Sequence, residues 1–205
     1  MAFKDLALKD IIVATQADLR DNPEHANATF AADSRQVDGL RSETKIRQFS
    51  LTIDEPPNLG GTDTGPNPVE LVLAALATCQ EITYRAYATA LGIPLESVSV
   101  KLEGALDLRG FFAVKDGVRA GFNDVRGTVH LQSNAPLAEL ARLKEAVDAH
   151  CPVLDILRAP VSVKQNPALA MSRDGTACLR TRLDPKAAVC RSTEHDDGRP
   201  LHGGS

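Results

Sequence analysis

Two of the four cysteines in this chain stand where a thiol could do chemistry. Cys79 lies near the middle of a long apolar run, PVELVLAALATCQEITYRAYATALG, and Cys151 directly precedes a proline in HCPVLDIL. A buried helical cysteine is usually a small hydrophobe and nothing more. A second cysteine at the start of another element shifts that balance, because two thiols brought together can handle peroxide. One thiolate attacks the O–O bond, and the other traps the sulfenic acid as a disulfide before it over-oxidises. Pairing needs Cα atoms within about 7 Å, which spacing along the chain does not decide. Pro152 suits a first helical position, so Cys151 falls at or near an N-cap, where backbone amides and the helix dipole favour a thiolate.

An ordinary cysteine, with a pKa near 8.5, is mostly protonated at neutral pH, so an attacking thiol needs help. An arginine beside Cys79 would stabilise the thiolate and orient a peroxide oxygen, with a carboxylate holding the guanidinium through a bidentate pair. Arg47 is the first candidate. It shares strand parity with Phe49, Leu51 and Ile53, so a straight strand with those residues facing the core aims Arg47 the same way, whereas a bulge breaks the inference. Arg41 and Arg35 stand behind it, and each of the three has the ordinary alternative of a solvated strand charge. Glu70 is the candidate carboxylate. It lies nine residues before Cys79, and at about 100° per residue that leaves it roughly opposite the thiol on a straight helix. It would have to act from the helix start, or towards a neighbouring subunit; its plain alternative is a charge favouring the helix N-terminus.

Other groupings are weaker. Cys178, Cys190, His195 and His202 have ligand chemistry for zinc but no C-x-x-C spacing. His150 could be a base or ligand beside Cys151, or simply complement the end of its helix. There is no phosphate loop, G-x-S-x-G elbow or dinucleotide fingerprint.

The elements that must position the thiols follow from punctuation and periodicity. Residues 3–20 carry a helical apolar stripe that Asn22-Pro23 ends. Strand patterns follow at 29–32 and 40–53, with Asp38-Gly39 as the hairpin signal between them. Asp54 to Pro68, DEPPNLGGTDTGPNP, is a loop that reads either as a rigid connector or as a wall of the site. Asn67 caps and Pro68 opens a helix that Gly92 and Pro94 stop, and its apolar character on all sides predicts a buried spine. Val98, Val100 and Leu102 alternate with polar residues in one strand, and Val125, Val129 and Leu131 in another. Gly110-Phe111-Phe112 opens a connection that could lay aromatics over a pocket. Pro136 starts a helix striped by Leu140, Leu143 and Val147, and Val161 and Val163 suggest a last short strand. The order of elements predicts an α+β domain with antiparallel sheet around a central helix, over residues 28–165. Residues 1–27 form a helical segment before it, and 166–205 a poorly packed tail.

A length of 205 residues suits one domain with an appendage, and a net charge of −4 without a basic run argues against nucleic acid as partner. The N-terminal residues lack an uninterrupted apolar segment of the secretory type, and the spine helix is too polar and interrupted to span a bilayer. The expectation is a protein of the reducing cytoplasm, where four cysteines are free or redox-active and do not form a structural framework.

The runs DEPPNLGGTDTGPNPVELVLAALATC and HCPVLDIL, with the strands between them, closely resemble the OsmC/Ohr family of osmotically inducible and organic hydroperoxide resistance proteins. The resemblance covers about residues 28–165. It implies an intertwined homodimer with antiparallel sheets wrapped around central helices and sites at the subunit interface. It also implies a cysteine-based peroxidase for organic hydroperoxides, with Cys79 peroxidatic, Cys151 resolving, a dihydrolipoyl-type dithiol as reductant, and no metal or organic cofactor. Two departures bear on the arginine clamp. Val69 stands where the peroxidase branch has an acidic residue that holds the arginine, and Val37, not arginine, precedes Asp38-Gly39. The thiol pair carries over; the clamp of Arg47 and Glu70 does not carry over with it. GPNPVEL is closer to the OsmC-like branch, and that leaves a binder of small apolar ligands or a redox sensor as the alternative to a peroxidase.

Overall fold

The computed structural model describes residues 7–159 and 161–165, and in the tail the backbone of three short strands. The chain divides into two compact units, Met1–Pro160 and Val161–Ser205. In the first, helix α1 (Leu8–Asp21) stops at Asn22, close to the end the Asn-Pro signal predicts. Strands β1 (Asp33–Asp38), β2 (Arg41–Ile46) and β3 (Phe49–Ile53) form an antiparallel sheet in sequence order. Gly39, at φ +50°, turns the first hairpin as Asp38-Gly39 predicts.

Two expectations change here. The strand expected at 29–32 begins only at Asp33, the first residue with a register partner, Lys45. The segment expected to run unbroken from 40 to 53 is a second hairpin, because Ile46 pairs with Phe49 and the backbone turns between them. Arg47 sits in that turn with φ +55°.

The loop after β3 is held by a single carboxylate. Asp54, 2% exposed, accepts hydrogen bonds from the Glu55 and Thr62 amides and from the Thr62 and Thr64 hydroxyls at 2.6–3.1 Å, with the Thr64 amide at 3.3 Å. These donors satisfy a buried charge that would otherwise be costly. The loop also crosses its own backbone closely: a Cβ at residue 65 would lie 2.2 Å from the Thr52 carbonyl oxygen, so glycine is required there. The connector is therefore rigid.

Helix α2 (Pro68–Leu91) starts in a full capping box. The Glu70 amide donates to Asn67 Oδ1 at 2.9 Å, and the Asn67 amide donates to Glu70 Oε2 at 2.8 Å. Gly92, at φ +70°, ends it. Strands β4 (Ser97–Leu106) and β5 (Phe122–Gln132) pair antiparallel, joined through the short helix α3 (Leu108–Phe111). The polar groups of α2 dock it to this ribbon: Glu81 accepts from the Val100 amide at 3.1 Å, and Arg85 donates to the carbonyls of Leu95 and Glu96. Helix α4 (Leu137–His150) completes the core, in which Tyr84, Ala88 and Leu95 pack with Leu143 and Val147, backed by Val98, Val129 and Leu131.

The architecture is α+β with antiparallel sheets, as expected. Helix α2 is not covered on every side, however: Leu76, Gln80, Thr83, Tyr84 and Ala88 are buried, whereas Ile82 is 70% exposed. Phe111 and Phe112 meet edge to face and are both exposed. Val161 and Val163 are exposed and lie outside the described strands. The tail, in contrast, carries β6 (Leu169–Met171), β7 (Ala177–Arg180) and β8 (Ala188–Arg191) in one antiparallel sheet. Strands of three or four residues are too short for alternation to stand out in a sequence. His195 and His202 lie outside the described residues.

The hydrogen bonds hold the Asp54 carboxyl, led by the Thr62 hydroxyl, far below the usual carboxylate range. A depressed folded-state pKa gives stability that is present above the unfolded value near 3.8 and lost as pH falls through the folded value. Asp54→Asn is expected to lower Tm at pH 7 and to narrow the gap to the parent protein below pH 4. Thermal melts from pH 7 down to pH 2.5 check this; a constant gap across the range would refute it.

Candidate functional site

The corner between α4 and the next helix places the second thiol. Cys151 closes α4, its amide donating to the Val147 carbonyl at 2.9 Å, and it is also the N-cap of α5 (Pro152–Arg158). Proline at 152 forces the preceding residue out of helical conformation, and Cys151 is extended at φ −78°, ψ 112°. Leu143, Val147 and Cys151 are spaced by four and so continue one buried face of α4 past its end. That face meets α2, and Cys151 Sγ comes to lie 3.4 Å from Cys79 Sγ.

At this separation the two sulfurs form a thiol–thiol hydrogen bond, well beyond a covalent S–S distance of about 2.05 Å. Both cysteines are free. The two thiols differ sharply in setting. Cys151 is 1% exposed, whereas Cys79 is half-buried and borders an open cavity of about 450 Å³. Ala75, Thr78, Ile82, Thr83, Ala86 and Tyr87 line that cavity from α2, and His150 and Pro152 close one side. Its surface is mainly apolar, with few polar groups facing it. Thr83 lends its hydroxyl to the Cys79 carbonyl at 2.7 Å. His150 stacks on Tyr87 at 5.2 Å, and its Nδ1 lies 2.8 Å from the Ala146 carbonyl. Nδ1–H therefore donates there, which leaves Nε2 as the ring's free nitrogen.

Burial pushes the Cys151 thiol up, and the Leu154 amide at the start of α5 offsets this only in part. The N-cap position predicts a favoured thiolate at Cys151; desolvation outweighs the amides of this seven-residue helix, and the net direction is the opposite. A protonated Cys151 donates its S–H to Cys79 Sγ at 3.4 Å.

The other two candidate residues lie elsewhere. Arg47 occupies the tip of the β2–β3 hairpin, its guanidinium 5.3 Å from the Phe49 ring centroid. Glu70 spends its carboxylate on the capping box of α2. Neither lines the cavity, nor does Arg41 or Arg35. The nucleophilic groups of the first unit thus converge without an arginine among the lining residues. Thr83, Tyr87 and Ile82 were not singled out from the sequence. The signal was present, however, because positions 75, 78, 79, 82, 83, 86 and 87 form one helical face around Cys79. No group of residues suited to hold a metal ion occurs among the described residues. None of the described helices is long and apolar enough to cross a membrane.

The first unit thus combines antiparallel sheets and helices with two free thiols in contact, one buried and one opening into an apolar cavity. The family model for OsmC-like protein matches residues 61–166, more than half of the chain, and the protein belongs to that family. Among solved structures it is similar to an OsmC-like protein from Mycoplasma pneumoniae, at 18% identity and TM-score 0.57 over 65% of this chain and 90% of that one. It is similar also to an organic hydroperoxide resistance protein OsmC from Legionella pneumophila, at 27% identity and TM-score 0.50 over 67% and 94%. An organic hydroperoxide resistance protein from Elizabethkingia anophelis, with thiocyanate bound, matches at 18% identity and TM-score 0.51 over 67% and 94%. Comparison with curated proteins yields no match.

The asymmetry of the pair predicts its reactivity. In the folded, reduced protein, a brief pulse of iodoacetamide is expected to label Cys79 at least about tenfold faster than Cys151, since Cys79 opens to the cavity whereas Cys151 is enclosed and burial disfavours its thiolate. Peptide mass spectrometry after quenching measures the ratio. Equal labelling, or faster labelling of Cys151, would overturn the assignment.

Proposed function

We propose that this protein is a cysteine-based thiol peroxidase acting on organic hydroperoxides. The observation that carries the reading is the 3.4 Å contact between a cavity-facing thiol and a buried one. Membership of the OsmC-like family and likeness to proteins named for organic hydroperoxide resistance support a stress-related role.

In this reading a hydroperoxide enters the apolar cavity with its alkyl part along Ile82, Ala86 and Tyr87. The Cys79 thiolate attacks the terminal peroxide oxygen, the O–O bond breaks, and the alkoxide takes a proton and leaves as the alcohol. Cys79 is then a sulfenic acid. Cys151 needs to move little to attack that sulfur; the S–OH bond breaks, water leaves, and a Cys79–Cys151 disulfide forms. An external dithiol, of lipoyl type by the family resemblance, returns the pair to two thiols and is itself oxidised to a disulfide. The high pKa of Cys151 suits this order, because its proton stays available until the sulfenic acid has formed.

The lack of an arginine on the cavity wall favours a second reading, a redox-sensing or small-molecule-binding stress protein without efficient turnover. Cumene hydroperoxide with dihydrolipoate separates the two. Many turnovers per chain are expected. Cys79→Ser should abolish them, and Cys151→Ser should consume about two equivalents, the first giving the Cys79 sulfenic acid and the second its sulfinic acid. One equivalent or none from the parent protein, with every dithiol tried, would reject the peroxidase in favour of sensing or binding.

The partner in this proposal is a second copy of the chain. Ile82 on α2, Phe30 at 92% exposure, and Phe49 and Leu51 on the β1–β3 sheet are open to solvent in a single chain. A three-stranded sheet with both apolar and polar positions exposed gains stability only when another surface covers it. Light scattering is expected to report a dimer, and Ile82→Asp to shift it to monomer while far-UV circular dichroism stays unchanged. A monomeric parent protein would refute this part.

A further inference from the structure

The C-terminal unit carries the chain's other two cysteines, and its strand register sets them opposite one another. Strands β7 and β8 are antiparallel, with Ala177 paired to Arg191, Cys178 to Cys190, Leu179 to Val189 and Arg180 to Ala188. Residues directly opposed across antiparallel strands have Cα atoms about 4.5 or 5.5 Å apart, according to the type of pair. Both separations fall within the range of about 4.4–6.8 Å that a disulfide spans. Opposed positions also share a face of the sheet, so the two cysteines belong to the same face.

The size of this sheet adds a physical reason for a cross-link. Its strands have three, four and four residues. Sheets this small bury little apolar surface, and small folds commonly supplement such a core with a covalent staple. Closing the eleven residues between Cys178 and Cys190 restricts the unfolded chain without demanding a larger core.

We propose that Cys178 and Cys190 are a second dithiol of this protein, one that closes into a cross-strand disulfide by exchange with a low-molecular-weight disulfide, independently of Cys79 and Cys151. One of the two thiols, as thiolate, attacks the small disulfide and releases one small thiol. The other attacks the resulting mixed disulfide and releases the second. Two protein thiols are oxidised, one small disulfide is reduced to two thiols, and the two protons pass to those leaving groups.

The test uses the full-length chain carrying Cys79→Ser and Cys151→Ser, so that it stands or falls separately from the peroxidase reading. The protein is incubated with glutathione disulfide, quenched in acid, alkylated, and digested with trypsin without reduction. The expected product joins the peptides at 174–180 and 187–191, lighter by two hydrogens than their sum. It should come from the monomer band of a non-reducing gel and disappear on reduction. Adding Cys190→Ser should eliminate it and leave glutathione on Cys178 instead. Separate alkylation of both cysteines, glutathione on each without a link, or a link found only between chains would overturn the proposal.

Discussion

Packing of Tyr84 and Ala88 on α2 against Leu143 and Val147 on α4 determines where every group near the two thiols stands. Each fully buried large side chain in that contact contributes about 1.5–3 kcal/mol by removal from water, and together they fix the rotation of α2 about its own axis. With the Tyr84 side turned inward, the face bearing Cys79, Ile82 and Tyr87 is turned towards the cavity. The same packed face of α4 runs on into Cys151, so the buried thiol arrives beside the half-buried one without any direct link in sequence.

The chemistry follows from a competition between solvation and local dipoles. A helix N-terminus favours negative charge, yet α5 has only seven residues, and Cys151 is almost completely enclosed. Burial wins, and the thiol stays protonated. In the proposed peroxidase this difference would divide the labour between two chemically identical groups. The open sulfur can meet a substrate, while the closed one keeps its proton and lies within reach of whatever forms on its neighbour.

Rigidity on the far side of α2 comes from a different device. Asp54 gathers the loop that leads into the helix, and the capping box of Asn67 and Glu70 fixes the helix start. Charges in this part of the chain cap the backbone: one oxygen of Glu70 accepts from the Asn67 amide at the start of α2. Arg47 stands at a hairpin tip with its guanidinium over the Phe49 ring.

The sequence by itself determined the elements whose signals are local. Asn67, Pro68 and Gly92 mark both ends of α2 because capping and left-handed backbone act within a few residues. Alternation in β4 and β5 and the Asp38-Gly39 turn are legible for the same reason, and the motifs around Cys79 and Cys151 carry the family resemblance that the match over residues 61–166 bears out. Tertiary structure alone decided what depends on contacts between distant residues. It split the segment at 40–53 into a hairpin and so took Arg47 off the strand, since a turn can interrupt parity without a glycine or proline to announce it. It chose which face of an almost wholly apolar helix is buried, a question periodicity cannot answer when every face is apolar. It also brought Cys79 to Cys151 and reversed the expected direction of the Cys151 pKa, because proximity and desolvation exist only once the chain has packed.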